Sequence, residues 1–449
     1  MKHLATLFTG AALTVALPLA AQAQVQPLIA GSFADAGGLA AQNAVAAFYK
    51  SYSVPPIWFR GGVASPALAD VQRVLYRAPF DGFAAGPQYA AQIQAAIRQA
   101  ASGNKADITA AERAVSTAWV AYVQSLKQLT PGMIYAYPVL APQGTRADQI
   151  LLTAAAAPSL QAYVNSTSNL NPVYAQLRDA AWLQGQSAGN MTPDPRLLAN
   201  LERVRSLPSA GKFIFVDAGS QMLYMYENGR VVDSMKVVVG DKKNFGLPTP
   251  MIASIMHYMT FNPYWNVPHH LVRQKVAPGY LKEGAKYLKA RGYEIVADWS
   301  EDAAVISPDT VDWKAVAAGA KQIRVRQLPG PTNSMGKMKF PFPNGQDIFL
   351  HDTPQRDYFN LARRDRSNGC VRLEAAPRLA RWLLGQDAVA PSKDPEIRTK
   401  LPAGIPVYLS YLTAKPTSTG IAYLDDIYGW DVPGAQVAAV SAPVPTATR

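Results

Sequence analysis

The sequence predicts an α+β protein in two parts: a mainly helical N-terminal half, then a β-rich C-terminal half interrupted by a helical insertion. Three observations carry that reading. From 24 to about 205 the chain is rich in Ala and Gln, with apolar residues returning at helical spacing. From Lys212 onward short alternating runs take over, punctuated by Asn228-Gly229, a strong hairpin signal. Between 268 and 323 the alternation stops and helical pieces return. A chain of 449 residues has the length for two domains with sizeable cores.

Residues 1–23 read as a secretory leader: Lys2 and His3 give a basic start, 4–20 is apolar, and Ala21-Gln22-Ala23 is a small-x-small cleavage site. No later apolar run is long enough to span a bilayer. The expectation is an exported, periplasmic, cell-wall-associated protein with no integral membrane segment after cleavage. Across 24–205 helices are expected over 38–50, 65–76, 87–101, 106–128, 148–165, 171–183 and 193–204. In the fourth, Ala111, Val115, Ala118, Trp119 and Tyr122 recur at helical spacing, and Trp58, Trp119 and Trp182 read as core.

The second part, 210–413, opens with strands over 212–217, 221–226 and 231–239. The insertion, 268–323, holds helices over 279–290 and 312–320 and a strand over 293–297. A strand over 347–350, an amphipathic helix over 374–384 and a closing strand over 405–412 follow. Residues 414–430 form a C-terminal extension, and 431–449, rich in Ala, Val, Pro and Thr, is expected to be disordered.

The formal charge is +12, or +11 without Lys2. A basic chain suits nucleic acid, a membrane surface or an acidic polymer. No nucleic-acid motif is present and the Lys and Arg residues are dispersed, so an envelope polymer fits better and nucleic acid is not expected. Beyond the leader the histidines are His257, His269, His270 and His351, with no metal-binding spacing among them and no paired cysteines. Neither a metal nor a cofactor is expected.

Cys370 is the sole cysteine, so an internal disulfide is impossible. An unpaired thiol in an oxidising compartment is more readily explained by chemistry than by structure. A lone Cys is often a small buried hydrophobe, but Ser367, Asn368, Gly369 and Arg372 make a poor core. Arg366 and Arg372 are expected to lower the thiol pKa. His351 lies upstream at a strand end, and a thiol with a possible base and a glycine turn are the parts of a nucleophile site. His precedes Cys here, the reverse of the papain-like order, which argues against that class.

His351, Ser367, Gly369, Cys370 and Arg372, in that order, resemble the signature of the L,D-transpeptidases with a YkuD-type catalytic domain. Asn368 stands where that family often has His. The opening hairpin ending in Val239-Gly240 and the Trp265-Asn-Val-Pro segment strengthen the likeness. The 48–59 stretch resembles the helical scaffold domain of one branch, and 268–323 its capping subdomain over the cleft.

The resemblance implies acyl transfer on peptidoglycan stem peptides by Cys370, with His351 as base. Its third partner would be the backbone carbonyl of Asp352, or else the Asp352 carboxylate. N–H groups of Gly369 and Cys370 would make the oxyanion hole. Arg372, Ser367, Asn368, Trp265 and Asn333 are the substrate-binding candidates. Carbapenem-type inhibitors would acylate the same thiol. An L,D-carboxypeptidase or amidase, and a silent wall-binding module, are the competing readings.

Overall fold

The computed structural model describes residues 35–431. The leader and, apart from Asp431, the tail expected to be disordered lie outside the described residues.

The N-terminal half is helical, as expected: α1 (Ala36–Ser51), α2 (Ala67–Arg77), α3 (Gly86–Ala100), α4 (Lys105–Leu126), α5 (Ala147–Ala156), α6 (Leu160–Ser168), α7 (Pro172–Ala188) and α8 (Pro195–Val204). Helix α4 starts where the Asn104 side chain accepts the Ala106 N–H. It runs through the centre with Trp119, Val115 and Tyr122 wholly buried. Glu112 on it serves the irregular segment before α2: its carboxylate accepts the N–H groups of Ile57, Trp58 and Phe59 and the Tyr49 hydroxyl. That carboxylate supplies partners a segment without regular structure would otherwise lack.

The single helix expected over 148–165 is two. Pro158 has no N–H to continue α5, and the Ser159 side chain caps α6 by accepting from Ala162 N–H at 3.2 Å.

Strand β1 (Ile134–Tyr135) leaves the helical half and pairs in parallel with β5, Ile134 opposite Ile252. The strands that follow are β2 (Lys212–Asp217), β3 (Met222–Glu227), β4 (Arg230–Gly240) and β5 (Ile252–Phe261). Asn228 and Gly229 both adopt positive φ in the β3–β4 turn, which explains the Asn-Gly pair there. The insertion carries β6 (Trp265–Asn266), β7 (Tyr293–Val296), β8 (Val305–Ile306) and β9 (Arg324–Gln327). After it come β10 (Met338–Pro341), β11 (Phe349–His351), β12 (Asp365–Ser367), β13 (Val371–Leu373), β14 (Ile397–Ser410) and the hairpin β15 (Ala414–Thr417) and β16 (Gly420–Tyr423).

The main sheet has the order β1-β5-β10-β11-β13-β4-β3-β2-β14, and β14 pairs again with β5, closing the sheet on itself. One apolar cluster runs from Ala41 through this sheet to Trp430. The insertion has a core of its own, built on Val267, Leu271, Leu288, Ile295, Trp313 and Val325, and a separate sheet in the order β6-β9-β7-β8. Its expected helix over 279–290 is split into Ala277–Glu283 and Ala285–Arg291, because Gly284 takes φ 64°, ψ −156° between them. At the other end of the chain Asp431 forms ion pairs with Arg196 and Arg203 of α8, at 2.5 and 2.7 Å.

Candidate active site

Three neighbouring strands carry the site. In register, Lys339 on β10 faces His351 on β11, and His351 faces Arg372 on β13. Side chains directly opposite in a sheet share a face, and residues two apart on a strand share it too. Cys370, two residues before Arg372 and just outside β13, therefore falls on the face of Lys339, His351 and Phe349. Lys339, Phe349 and Cys370 all line one cleft of about 470 Å³. The other wall of that cleft comes from the insertion and its approach: Tyr264, Trp265, Val267, His269 and Trp299.

His351 is buried, and its Nδ1 lies 2.6 Å from the Asp352 carbonyl oxygen. A carbonyl can only accept, so Nδ1 carries the proton and Nε2 of the neutral ring keeps its lone pair. Burial, with Arg372 and Lys339 adding to it, pushes the imidazole down to about 3 despite the Asp352 carbonyl. The Asp352 carboxylate is occupied elsewhere, accepting the Lys337 N–H at 2.9 Å and pairing with Arg356 at 3.1 Å.

Cys370 is half-buried, and its Sγ lies 3.6 Å from the Asp347 carbonyl oxygen. Here the sequence expectation is overturned. Burial raises the thiol to about 11; the Phe349 N–H and Arg372 pull it down, but not enough, and Asp347 pushes it up. Arg366 points to solvent. The free protein therefore holds a neutral thiol and a neutral imidazole.

The turn before Cys370 bears on two expected roles, and the surroundings of Asn333 on a third. Gly369 takes φ +109°, a conformation that favours glycine. Its N–H donates to Ser367 Oγ at 3.2 Å, so it is engaged and not aimed at a ligand. Ser367 is buried and its hydroxyl donates to the Cys370 carbonyl at 2.6 Å, which makes it a brace of the loop rather than a substrate contact. Asn333 is wholly buried outside the cleft: its amide donates to the carbonyls of Pro263, Gln327 and Leu328, and its Oδ1 accepts from Met335 N–H.

Arg372 donates to the Gln355 side chain and stacks 5.5 Å over the Tyr358 ring; among the described residues no carboxylate pairs with it. Trp265 faces the cleft and also packs on the insertion core near Tyr293. Asn368 is half-buried and its Oδ1 is enclosed with no hydrogen-bond partner. Of the other histidines, His257 is exposed on β5 beside the Tyr137 hydroxyl, and His269 reaches the cleft rim.

Sequence reasoning missed two braces. Thr249 Oγ1 donates to the Gly369 carbonyl and accepts from Gly240 N–H, and the Tyr428 hydroxyl donates to the Gly240 carbonyl. Lys339 was missed as well, although its place opposite His351 follows once the strand pairing is known. No groups of His, Cys, Asp or Glu that could hold a metal occur among the described residues.

Residues 211–409 match the L,D-transpeptidase catalytic domain, and residues 43–180 match the Scaffold domain. The chain is similar to a Haemophilus influenzae protein named "Putative L,D-transpeptidase", at 29% identity over 321 residues, covering 69% of this chain. The match spans 63% of that relative's length. A solved carbamoyl enzyme formed by Ldtfm with avibactam aligns at 12% identity and a TM-score of 0.21, over 44% of this chain and 48% of its own, a likeness too slight to speak for the fold.

Proposed function

We propose, for a chain that carries the L,D-transpeptidase catalytic domain behind a Scaffold domain, that it cross-links peptidoglycan stem peptides through a Cys370 thioester. The observation that carries this is the His351 Nδ1 contact to the Asp352 carbonyl, which leaves Nε2 as a proton acceptor on the sheet face that holds the thiol.

In the reaction, Nε2 takes the Cys370 proton as the sulfur attacks a peptide carbonyl of a tetrapeptide stem, forming the C–S bond. The oxyanion is met by the Cys370 N–H, the remaining candidate now that the Gly369 N–H is engaged. One such donor contributes roughly 3 kcal/mol. The tetrahedral adduct collapses, the C–N bond breaks, and the terminal D-alanine leaves with the proton from Nε2. An amine of a second stem then attacks the thioester, Nε2 takes its proton, and the sulfur departs and is reprotonated. Arg372, without a carboxylate of its own, receives one from the stem peptide, while Trp265 and Asn368 border the peptide. The insertion roofs the cleft and excludes water, favouring transfer to an amine over hydrolysis to a tripeptide. The place of action is the periplasmic cell wall, and carbapenem-type β-lactams acylate the same sulfur.

The test is intact mass and product analysis after incubation with disaccharide-tetrapeptide, using wild type and Cys370→Ala. Dimer with loss of one D-alanine, absent in the variant, supports the transpeptidase. Tripeptide without dimer moves the assignment to an L,D-carboxypeptidase, and no thioester or product in either protein removes the enzyme reading.

A further inference from the structure

A second concavity opens on the insertion, outside the cleft that Cys370 lines. It measures about 200 Å³. Its polar lining is basic, with His269, His270, Arg273 and Lys321, and its apolar lining is Val272, Val316 and Ile323. No carboxylate belongs to it. Arg326, in the same insertion, has Glu294 at 3.2 Å. Arg273 and Lys321 have no ion-pair partner among the described residues, and both are exposed.

Exposed cations alone are usually a solvated face. His270 separates this place from one. Its ring is half-buried, and its Nε2 is enclosed with no hydrogen-bond partner. An enclosed polar atom without a partner costs free energy that a ligand acceptor would recover. Burial first, then Arg273 and Lys275, hold the imidazole below its ordinary value, so cations crowd this ring and it rests neutral. With its proton on Nε2 a neutral ring donates, and the acceptor it meets is one that Arg273 and Lys321 attract as well.

The backbone around the concavity suits an anion. The helix Trp313–Ala318 ends beside it, and carbonyls at a helix end repel negative charge. Here they are occupied: Ala315 accepts from the N–H groups of Ala320 and Lys321, and Val316 from Gly319 N–H. Arg273 sits in a π-helical turn, Val272–Val276, closed by the Ala277 N–H donating to the Val272 carbonyl. Such wide turns are frequent at functional sites.

We infer that this concavity binds a phosphate ester, its phosphate held by Arg273, Lys321 and His270 and its uncharged body resting on Val272, Val316 and Ile323. A phosphate offers several oxygens and more than one negative charge to two cations and an N–H, where a carboxylate offers two oxygens and one charge. Cys370 and His351 take no part, so the inference stands apart from the acyl-transfer reading. His269 lines both the concavity and the cleft, which places the occupant beside the cleft without entering it.

The experiment is calorimetric titration of the full chain, at fixed ionic strength, with inorganic phosphate, with glycerol 3-phosphate, and with phosphatidylglycerol vesicles set against phosphatidylcholine vesicles. A nitrogen-15 spectrum of the histidine rings follows the His270 Nε2 signal in parallel. The expected result is saturable binding of glycerol 3-phosphate that moves the His270 signal and leaves those of His257 and His351 in place. Arg273→Gln with Lys321→Gln should weaken it about tenfold or more, since each removes a charged partner of the anion. Both positions are exposed, and circular dichroism melts check that the double variant folds. Binding of the free phosphates alone identifies a soluble ester as the source. Added binding to phosphatidylglycerol vesicles, lost in the double variant, identifies a lipid headgroup. No saturable binding of any phosphate probe, or binding that the double variant keeps in full, overturns the site. So does a response that sodium chloride reproduces at equal ionic strength.

Discussion

The Thr249 hydroxyl donates a 2.7 Å hydrogen bond to the carbonyl of Gly369, the residue immediately before Cys370. The same oxygen accepts the Gly240 N–H at 2.9 Å, and Tyr428 closes the circuit by donating to the Gly240 carbonyl and accepting the Thr249 N–H. Thr249→Val leaves a buried carbonyl and a buried N–H without partners, costing about 1–3 kcal/mol each way it is counted. The expected outcome is a modest fall in the urea midpoint and a roughly tenfold or greater fall in kcat, with Thr249→Ser restoring both. A normal kcat in Thr249→Val would show that the loop holds its shape without this brace.

The protonation states set a pH signature. With the imidazole near 3 and the thiol near 11, the resting pair is neutral across the middle of the scale. Iodoacetamide alkylation of Cys370 in the free protein should keep rising with pH and level off only on approaching 11, and the acid limb of kcat/KM should lie far below 6.5. The stability signs follow. The lowered His351 value gives a contribution that is complete above 6.5 and lost as pH falls towards 3. The raised Cys370 value gives one complete below 9.0 and lost as pH climbs towards 11. Arg372→Met removes a charge that opposes the imidazolium and favours the thiolate, so it moves both limbs upward. A plateau in alkylation near neutral pH would contradict all of this.

Gly336 sits at φ +64°, and a Cβ there would overlap the Asp352 carboxylate. Gly336→Ala therefore carries backbone strain of roughly 1–3 kcal/mol and displaces the residue whose carbonyl orients His351. Turnover by the folded fraction should fall further than the melting temperature suggests. Calorimetry paired with kcat per folded molecule separates the two effects, and equal losses would show strain alone.

Glu112→Ala strips three backbone N–H groups and the Tyr49 hydroxyl of one acceptor. The cost should be about 3 kcal/mol or more, and Glu112→Gln, which keeps an acceptor oxygen, should lose less. Because one core joins the helical half to the sheet, thermal unfolding of the described region apart from the insertion should shift as a single transition. A separate early melt of the helices would argue against that joint core.

What the sequence made visible was local. The spacing of Ala111, Val115, Trp119 and Tyr122 marked α4, and Asn228-Gly229 marked the β3–β4 turn. The ordered set from His351 to Arg372 marked residues that the strand register brings opposite one another on β11 and β13. Two breaks were present in the letters and were outweighed by apolar periodicity: Pro158 between α5 and α6, and Gly284 in the insertion. The rest needed the third dimension. Flanking arginines can be counted in a sequence, but the burial that defeats them at Cys370 cannot. Ser367 and Asn333 are polar residues in loops, a pattern shared by ligand contacts and internal braces; their hydrogen bonds alone tell them apart. Tyr428 is 179 residues from the Thr249 N–H it accepts, and nothing local in the sequence connects them.

The insertion leaves the sheet at Trp265 and returns at Gln327, and those two residues face each other across β6 and β9. Its stalk is thus a single pair of strands, while its apolar residues bury one another. Such an attachment lets the insertion be repacked or reshaped on its own core without redrawing the closed sheet that carries Cys370 and His351.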